Sequence, residues 1–164
     1  MAVLDKVFAN VHACAIEFAF EGEATPSAIE GWQPFYNSLF PEVDFQKAYA
    51  TFPSITFEEE SVTSSAGTSY RQKVTYAFPE HDSQRAERIA LLHKLKYVKI
   101  KFTGRLDLVI GRNDFNQNAR PNIKTVSNGQ TCGVTIESMA IFPAGFTPRA
   151  DAFGLPTLVP ITLI

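Results

Sequence analysis

Residues 70–111 read YRQKVTYAFPEHDSQRAERIALLHKLKYVKIKFTGRLDLVIG. Along this stretch period-two apolar alternation gives way to a helical pattern, then returns to alternation across a glycine turn. Tyr70, Val74, Tyr76 and Phe78 alternate with Arg71, Lys73 and Thr75, as a strand with one buried face requires, because successive strand side chains point to opposite faces. Pro79 cannot donate to a ladder and stops the strand. Asp82 or Ser83 can then accept the first free amides of a helix expected over about 82–96, with Ile89, Leu91, Leu92 and Leu95 on its apolar side. Val98, Ile100 and Phe102 next face one way and Lys99 and Lys101 the other, and Gly104 permits a turn into Leu106, Leu108 and Ile110. This order of strand, helix and hairpin predicts an α+β fold, mostly antiparallel sheet, sandwich or barrel-like, carrying one main helix.

Working outward, Ile55 and Phe57 alternate with Thr56 and Glu58 before a Ser64-Ser65-Ala66-Gly67 tip, which predicts a hairpin into the strand after Tyr70. In Val11 to Glu21 the heavy positions are Cys14, Ile16, Phe18 and Phe20, and His12 continues that face as a half-buried residue. Residues 22–53 hold Pro26, Pro34, Pro41 and Pro53 among Trp32, Phe35, Tyr36, Phe40, Phe45, Tyr49 and Phe52. They form a long aromatic, proline-rich insertion, read as one or two short helices that must pack on the sheet or on a partner. Downstream, Gly111 to Asn122 reads as a long loop, and Asn128-Gly129 as a tight hairpin between Ile123, Val126 and the run Cys132, Val134, Ile136. The last strand is expected to end near Phe142, leaving residues 143–164 as an extended C-terminal arm. All of this fits one domain over residues 1–164.

Composition narrows the function. Apolar residues make up 45% of the 164 and charged residues 20%, enough to bury a core, and a net charge of -2 gives no general attraction to nucleic acid or anionic membranes. No stretch approaches the roughly 18 apolar residues of a membrane span, and the start lacks a cationic segment followed by an apolar run, so a chain without a signal peptide is expected. Cys14 and Cys132 lack paired metal spacing and read as two buried free thiols. His12, His81 and His93 accompany no nucleophile elbow, so no catalytic residue, metal ligand or cofactor is assigned. Glu58, Glu59 and Glu60 read as a solvated strand end: consecutive strand residues point to opposite faces, so only Glu58 and Glu60 could share a cation, and no calcium-type ligand loop accompanies them. Two alternatives remain. Lys96, Lys99, Lys101 and Arg105, beside Tyr97 and Phe102, mix basic and aromatic residues as nucleic-acid-binding sheets do, although strand lysines also protect sheet edges from pairing. A small hydrolase or ligand-binding domain would need a pocket joining His12 or His81 to carboxylates.

The span from about Ile55 to Phe146 resembles small structural proteins of tailed bacteriophages, of the kind that infect Bacteroidetes-type hosts. The residues that carry the resemblance are Gly67 to Tyr70, Tyr76-Ala77-Phe78-Pro79, Leu91-Leu92-His93-Lys94-Leu95, Val98-Lys99-Ile100-Lys101, Leu108-Val109-Ile110-Gly111 and Thr135-Ile136-Glu137. The resemblance implies a non-enzymatic neck or tail subunit of connector, ring, completion or tube type. Such a subunit is made in the host cytoplasm and built into the virion as a homo-oligomeric ring around a DNA channel. Its implied partners are further copies of itself, other neck and tail proteins, and DNA passing through the lumen without sequence-specific binding. Independently, the insertion and the arm present apolar groups that a neighbouring copy would cover, with Trp32, Phe35, Tyr36, Phe40, Phe153, Leu155, Leu158, Ile161 and Ile164 as candidate contacts.

Overall fold

Strong alternation produces strands wherever it was read, and a computed structural model of the chain describes residues 12–21, 44–51, 54–103, 106–111, 120–140 and 143–148. Strand β4, Gly67–Pro79, buries Gln72, Val74, Tyr76 and Phe78 and turns Arg71, Lys73, Thr75 and Ala77 outward. It pairs with β8, Thr131–Ala140, from Tyr70↔Ala140 to Pro79↔Thr131, so that Val74 lies opposite Ile136, Tyr76 opposite Val134 and Phe78 opposite Cys132. The remaining strands are β1 Ala13–Ala19, β2 Gln46–Lys47, β3 Thr56–Ser64, β5 Tyr97–Phe102, β6 Leu106–Ile110, β7 Asn122–Ser127 and β9 Gly145–Pro148, and α1 spans Arg85–Leu92. Two antiparallel sheets result, one in the order β2-β1-β5-β6-β9 and the other β3-β4-β8-β7.

The inward faces of both sheets supply one hydrophobic cluster. In the five-stranded sheet Ile16, Ile100 and Leu108 form one cross-strand row and Phe18, Val98 and Ile110 the next. The Phe18 and Tyr76 ring centroids, 5.7 Å apart, join the two sheets across the core. Each such aliphatic or aromatic side chain contributes about 1.5–3 kcal/mol on full burial, so these rows outweigh any single polar contact in holding the sheets together. Gly111, at φ +103, ends β6 where no side chain fits: a Cβ there would overlap the Lys96 carbonyl oxygen and stand 3.2 Å from Tyr97 Cα.

Several expectations need correction. The helix covers eight residues rather than about fifteen. Its last turn tightens, with Lys94 and Leu95 amides donating to Leu91 and Leu92, because Leu95 is drawn into the core at 1% exposure and the chain must straighten into β5. Asp82 accepts the Gln84 amide at 2.9 Å, one residue before the helix begins, and neither Asp82 nor Ser83 caps the first helical amides by its side chain. A register shift between Ala13 and Ala15 turns Ala13 toward the core and Cys14 outward, so only Cys132 is a buried thiol, and His12 beyond the shift is exposed. Residues 44–51 of the insertion contain the short strand β2 and no helix, and part of the expected arm is strand β9, paired with β6. Strand β5 lies at the centre of its sheet, so its lysines guard no edge. The Asn128-Gly129 turn is a hairpin as read, with Gly129 at φ +84 and the Asn128 carboxamide accepting the Gln130 and Thr131 amides.

Candidate functional site

On the outward face of the five-stranded sheet the pairing of β1 with β5 sets Glu17 against Lys99 and beside Lys101. Lys99 Nζ lies 2.7 Å from Glu17 Oε2 and Lys101 Nζ 2.9 Å from Oε1, so one carboxylate serves both ammonium groups. The three side chains are only 15%, 22% and 29% exposed, and Lys99 also stacks over the Phe45 ring at 4.2 Å. Burial by itself would raise the Glu17 pKa. Hydrogen bonds and charge from the two lysines overcome it and hold the group below the usual carboxylate value. The buried Asp107 stands opposite Lys101 in the register of β5 and β6.

A second carboxylate, Glu80, lies at the end of β4 beside the start of α1. Its side chain is 6% exposed and accepts from the Ser127 hydroxyl, from Arg85 Nε at 2.5 Å and from the Gly129 amide at 2.9 Å. The Ser127 bond first, then Arg85 and Gly129, keep its pKa below the ordinary value against the opposing effect of desolvation. Glu80 thereby ties the start of α1 to the β7–β8 hairpin. Neighbouring Cys132 has its thiol pushed up, by burial first and by the Glu80 charge second, which makes it a poor nucleophile.

Between β1, the β2 segment, β4 and α1 opens a cleft of about 190 Å³ lined by Phe18, Phe20, Tyr49, Tyr76, Phe78, Leu91 and Leu92, with Lys47 and Arg88 as its cationic members. Arg88 bonds Asp82 at 2.5 Å and Gln84 at 3.2 Å and lies over the Tyr49 ring at 4.3 Å, while its Nε has no hydrogen-bond partner among the described residues. Burial raises the Tyr76 phenol far above its normal range, so it stays protonated. The cleft is smaller than the ~300–1,000 Å³ of pockets for drug-sized ligands and suits one or two apolar side chains.

The residues singled out from sequence do not converge. Lys99 and Lys101 share Glu17, Lys96 belongs to the turn leading into β5, and Arg105 lies outside the described residues. Phe102 faces the core, away from the lysines, as the alternation required. His12, His81 and His93 are exposed. Glu58 and Glu60 share a face as read, and each pairs across the hairpin, with Lys73 at 3.5 Å and Arg71 at 3.7 Å, while Glu59 on the other face accepts from Gln72 and from the Ala144 amide. Trp32, Phe35, Tyr36, Phe40, Phe153, Leu155, Leu158, Ile161 and Ile164 lie outside the described residues. Among the described residues no group of His, Cys, Asp and Glu is placed to hold a metal ion, and no helix is long and apolar enough to cross a membrane. Sequence reading passed over Glu17, Glu80 and Arg88. Only the i, i+4 spacing of Gln84 and Arg88 and the nearness of Arg85 to Glu80 gave a local sign of any of them, since the lysines of Glu17 and the Ser127 and Gly129 partners of Glu80 are distant in sequence. Comparisons with protein-family models, curated proteins and solved structures return no match.

Proposed function

We infer that this chain is a non-enzymatic structural subunit of a phage virion, a β-sandwich whose copies join edge to edge into a ring or tube around the DNA channel of the neck or tail. The observation that carries the reading is the pair of edges on the four-stranded sheet. Among the described residues nothing pairs with the outer side of the nine-residue β3 or of β7. Phe57 on β3 and Ile123 on β7 lie half-buried at the two rims of the core, so joining β3 of one copy to β7 of the next would extend the sheet and cover both. The edges also differ in charge. Outward-facing Glu58 and Glu60 mark β3 and Lys124 marks β7, so like edges repel and unlike edges attract. A contact between two different surfaces of one subunit builds a ring where the rotation between copies closes and an open filament where it does not.

The order of elements supports the virion assignment, since the residues of the phage resemblance are those of β4, α1, β5, β6 and β8. DNA in such a lumen would meet no dedicated reading head. The basic-strand alternative loses its main donors to Glu17, and the hydrolase alternative has His12 and His81 exposed.

Charge reversal tests the edge contact. Lys124→Glu should be monomeric in sedimentation, as should the Glu58→Lys/Glu60→Lys double variant, whose lost ion pairs are solvent-exposed and worth about 0–1 kcal/mol each. Mixing the two variants should restore rings visible by electron microscopy. Wild-type protein that stays monomeric at all concentrations, or variants that assemble as well as wild type, would remove the reading.

A further inference from the structure

We propose that β3 of one copy and β7 of the next pair as an antiparallel ladder in a single register, with Lys124 opposite Glu58, so that the four-stranded sheets of all copies join as one continuous layer. The inference rests on the self-assembly reading above and deepens it, naming which residues of the second copy meet which and on which side its core lies.

Backbone groups at the two edges set the direction of pairing. Along a strand the N–H and C=O of successive residues point to opposite edges. On β4 the Ala77 amide donates to Ser54 Oγ at 2.9 Å and its carbonyl accepts the Thr51 amide at 2.7 Å, so Ala77 faces the β3 side. Thr75, Lys73 and Arg71 follow at intervals of two, and their partners Thr56, Glu58 and Glu60 spend their backbone groups on β4. Those of Phe57, Glu59 and Ser61 point to the open edge. On β7 the Asn128 amide donates to the Thr131 carbonyl at 3.3 Å, so Val126, Lys124 and Asn122 bond to β8 while Ile123 and Thr125 point away from it. Phe57 and Ile123 both pack on the core, so at each edge the residues with open backbone groups lie on the core face. Opposed residues of an antiparallel ladder share a face, so these groups pair with both cores on one side of the joined sheet. Chain direction agrees independently. β3, β4, β8 and β7 alternate in direction, and a copy set beside another with its core on the same side offers its β3 antiparallel to β7. Glu59, Ser61, Lys124 and Val126 are exposed along these edges, leaving room for the neighbour.

Charge and apolar contact choose the register. Slides by two residues preserve the faces, and they differ in what Lys124 meets. With Lys124 opposite Glu58, Asn122 meets Glu60 and Val126 meets Thr56, so the ammonium has one carboxylate directly across and a second on the diagonal. On the core face Phe57 then meets Thr125 with Ile123 on its diagonal, within reach of an aromatic side chain. Moving Lys124 to Thr56 takes Glu60 away from it. Moving it to Glu60 sets Val126, already 62% exposed, against the Glu58 carboxylate and carries Phe57 off to Ser127. Only the first arrangement serves the lysine, both glutamates and the two half-buried apolar residues together. It lays the six residues of β7 along residues 55–60. Joined in this way, every copy turns Arg71, Lys73 and Glu137 to one side of the layer and its five-stranded sheet to the other.

Disulfide trapping reads the register. Opposed residues that do not bond to each other bring their Cα atoms to ~4.5 Å, inside the ~4.4–6.8 Å that a disulfide spans. Thr56 and Val126 form such a pair in the proposed ladder. Within one copy they lie on opposite edges, three strand spacings or about 14 Å apart, so no single molecule closes the bond. In a Cys14→Ser background, which removes the exposed thiol and leaves the buried Cys132, Thr56→Cys/Val126→Cys should oxidise to a series of disulfide-linked oligomers. Its yield should exceed by about ten-fold that of Val62→Cys/Asn122→Cys, which marks a slide of two residues, and that of Thr56→Cys/Asn122→Cys, which marks parallel pairing with cores on opposite sides. Adding Lys124→Glu to the first variant should lower its yield about ten-fold. Glu60→Cys/Asn122→Cys belongs to the same register and repeats the trap if the first variant fails to fold. Preference for either marker pair, or equal yields from all three, overturns the proposal and leaves edge-to-edge assembly standing. No cross-link from any pair removes the strand-edge contact together with it.

Discussion

Replacing Glu17 by Gln is the sharpest probe of how the five-stranded sheet is held together. Glu17 Oε1 and Oε2, on β1, meet the Lys101 and Lys99 ammonium groups of the neighbouring central strand β5 at 2.9 and 2.7 Å. At that separation the gross attraction is about 6 kcal/mol per contact with an effective dielectric constant of ~20, and most of it is cancelled by the desolvation of three groups. What remains on removal is the penalty of leaving two lysines, less than a third exposed and two residues apart on one face, without their shared counter-charge. Fully buried pairs lose about 3–5 kcal/mol on such a change and exposed pairs about 0.2–1, so these burials place Glu17→Gln near ~2–3 kcal/mol. For a chain of this length that is a fall of about 5–10 °C in Tm.

Urea unfolding at fixed protein concentration measures the loss, and a double-mutant cycle with Lys99→Met isolates the coupling. The acid limb gives an independent check. Folded Glu17 holds its proton less tightly than unfolded Glu17, so its contribution is complete above the unfolded carboxylate value of about 4.3 and disappears as pH falls through the lower folded value. Glu17→Gln should therefore flatten the loss of stability on acidification. A change under about 0.5 kcal/mol, or one abolished by 0.5 M salt, would mean that the lysines are solvated and the cluster is an ordinary surface pair.

Two further substitutions test other joints of the fold. Gly111→Ala combines a backbone at φ +103 with overlap on the Lys96 carbonyl and the Tyr97 ring edge at 3.3 Å, and should cost about 3 kcal/mol or more in urea unfolding, against about 1–2 for the dihedral alone. Glu80→Gln removes the charge that Arg85 and the Gly129 amide address, and should lower the melting temperature and speed amide exchange at Gly129 by a larger factor than at Ile100 in β5.

How far the fold was readable follows from the range of each interaction. β4, β5 and β8 were legible because their alternation is local and steep: Val74, Tyr76 and Phe78 announce a buried face without reference to any partner. The length of α1 was not legible, because Leu95 continues the helical spacing and only the tertiary pull of the core removes it from the helix. β2 and β9 were missed for a related reason: two and four residues carry too little pattern, and each exists as a strand only because β1 or β6 offers it a ladder. Cys14 was misplaced by one register shift, which flips every side chain on one side of it. The candidate site was less legible still. Glu17 and Lys99 are 82 positions apart, and nothing in either local sequence reveals that a carboxylate will neutralise the lysines that otherwise suggest a nucleic-acid surface.

The two sheets treat their edges in opposite ways, and that contrast bears on assembly. In the five-stranded sheet the outermost strands are the two-residue β2 and the four-residue β9, which ends on a proline, and short or proline-bearing edges offer little ladder to a stray strand. The four-stranded sheet ends instead in β3, nine residues long, and β7, six. Such lengths invite pairing, and the charges they carry restrict it without abolishing it. Glu58 and Glu60 oppose a second β3, Lys124 opposes a second β7, and each set favours the other. A symmetric dimer would satisfy one edge per copy and leave the other open, so it ends growth with unpaired strands. In the ring proposed above, a repeated β3-to-β7 contact would satisfy every edge once the copies close on themselves, and the rotation between neighbours decides between that closure and an open filament.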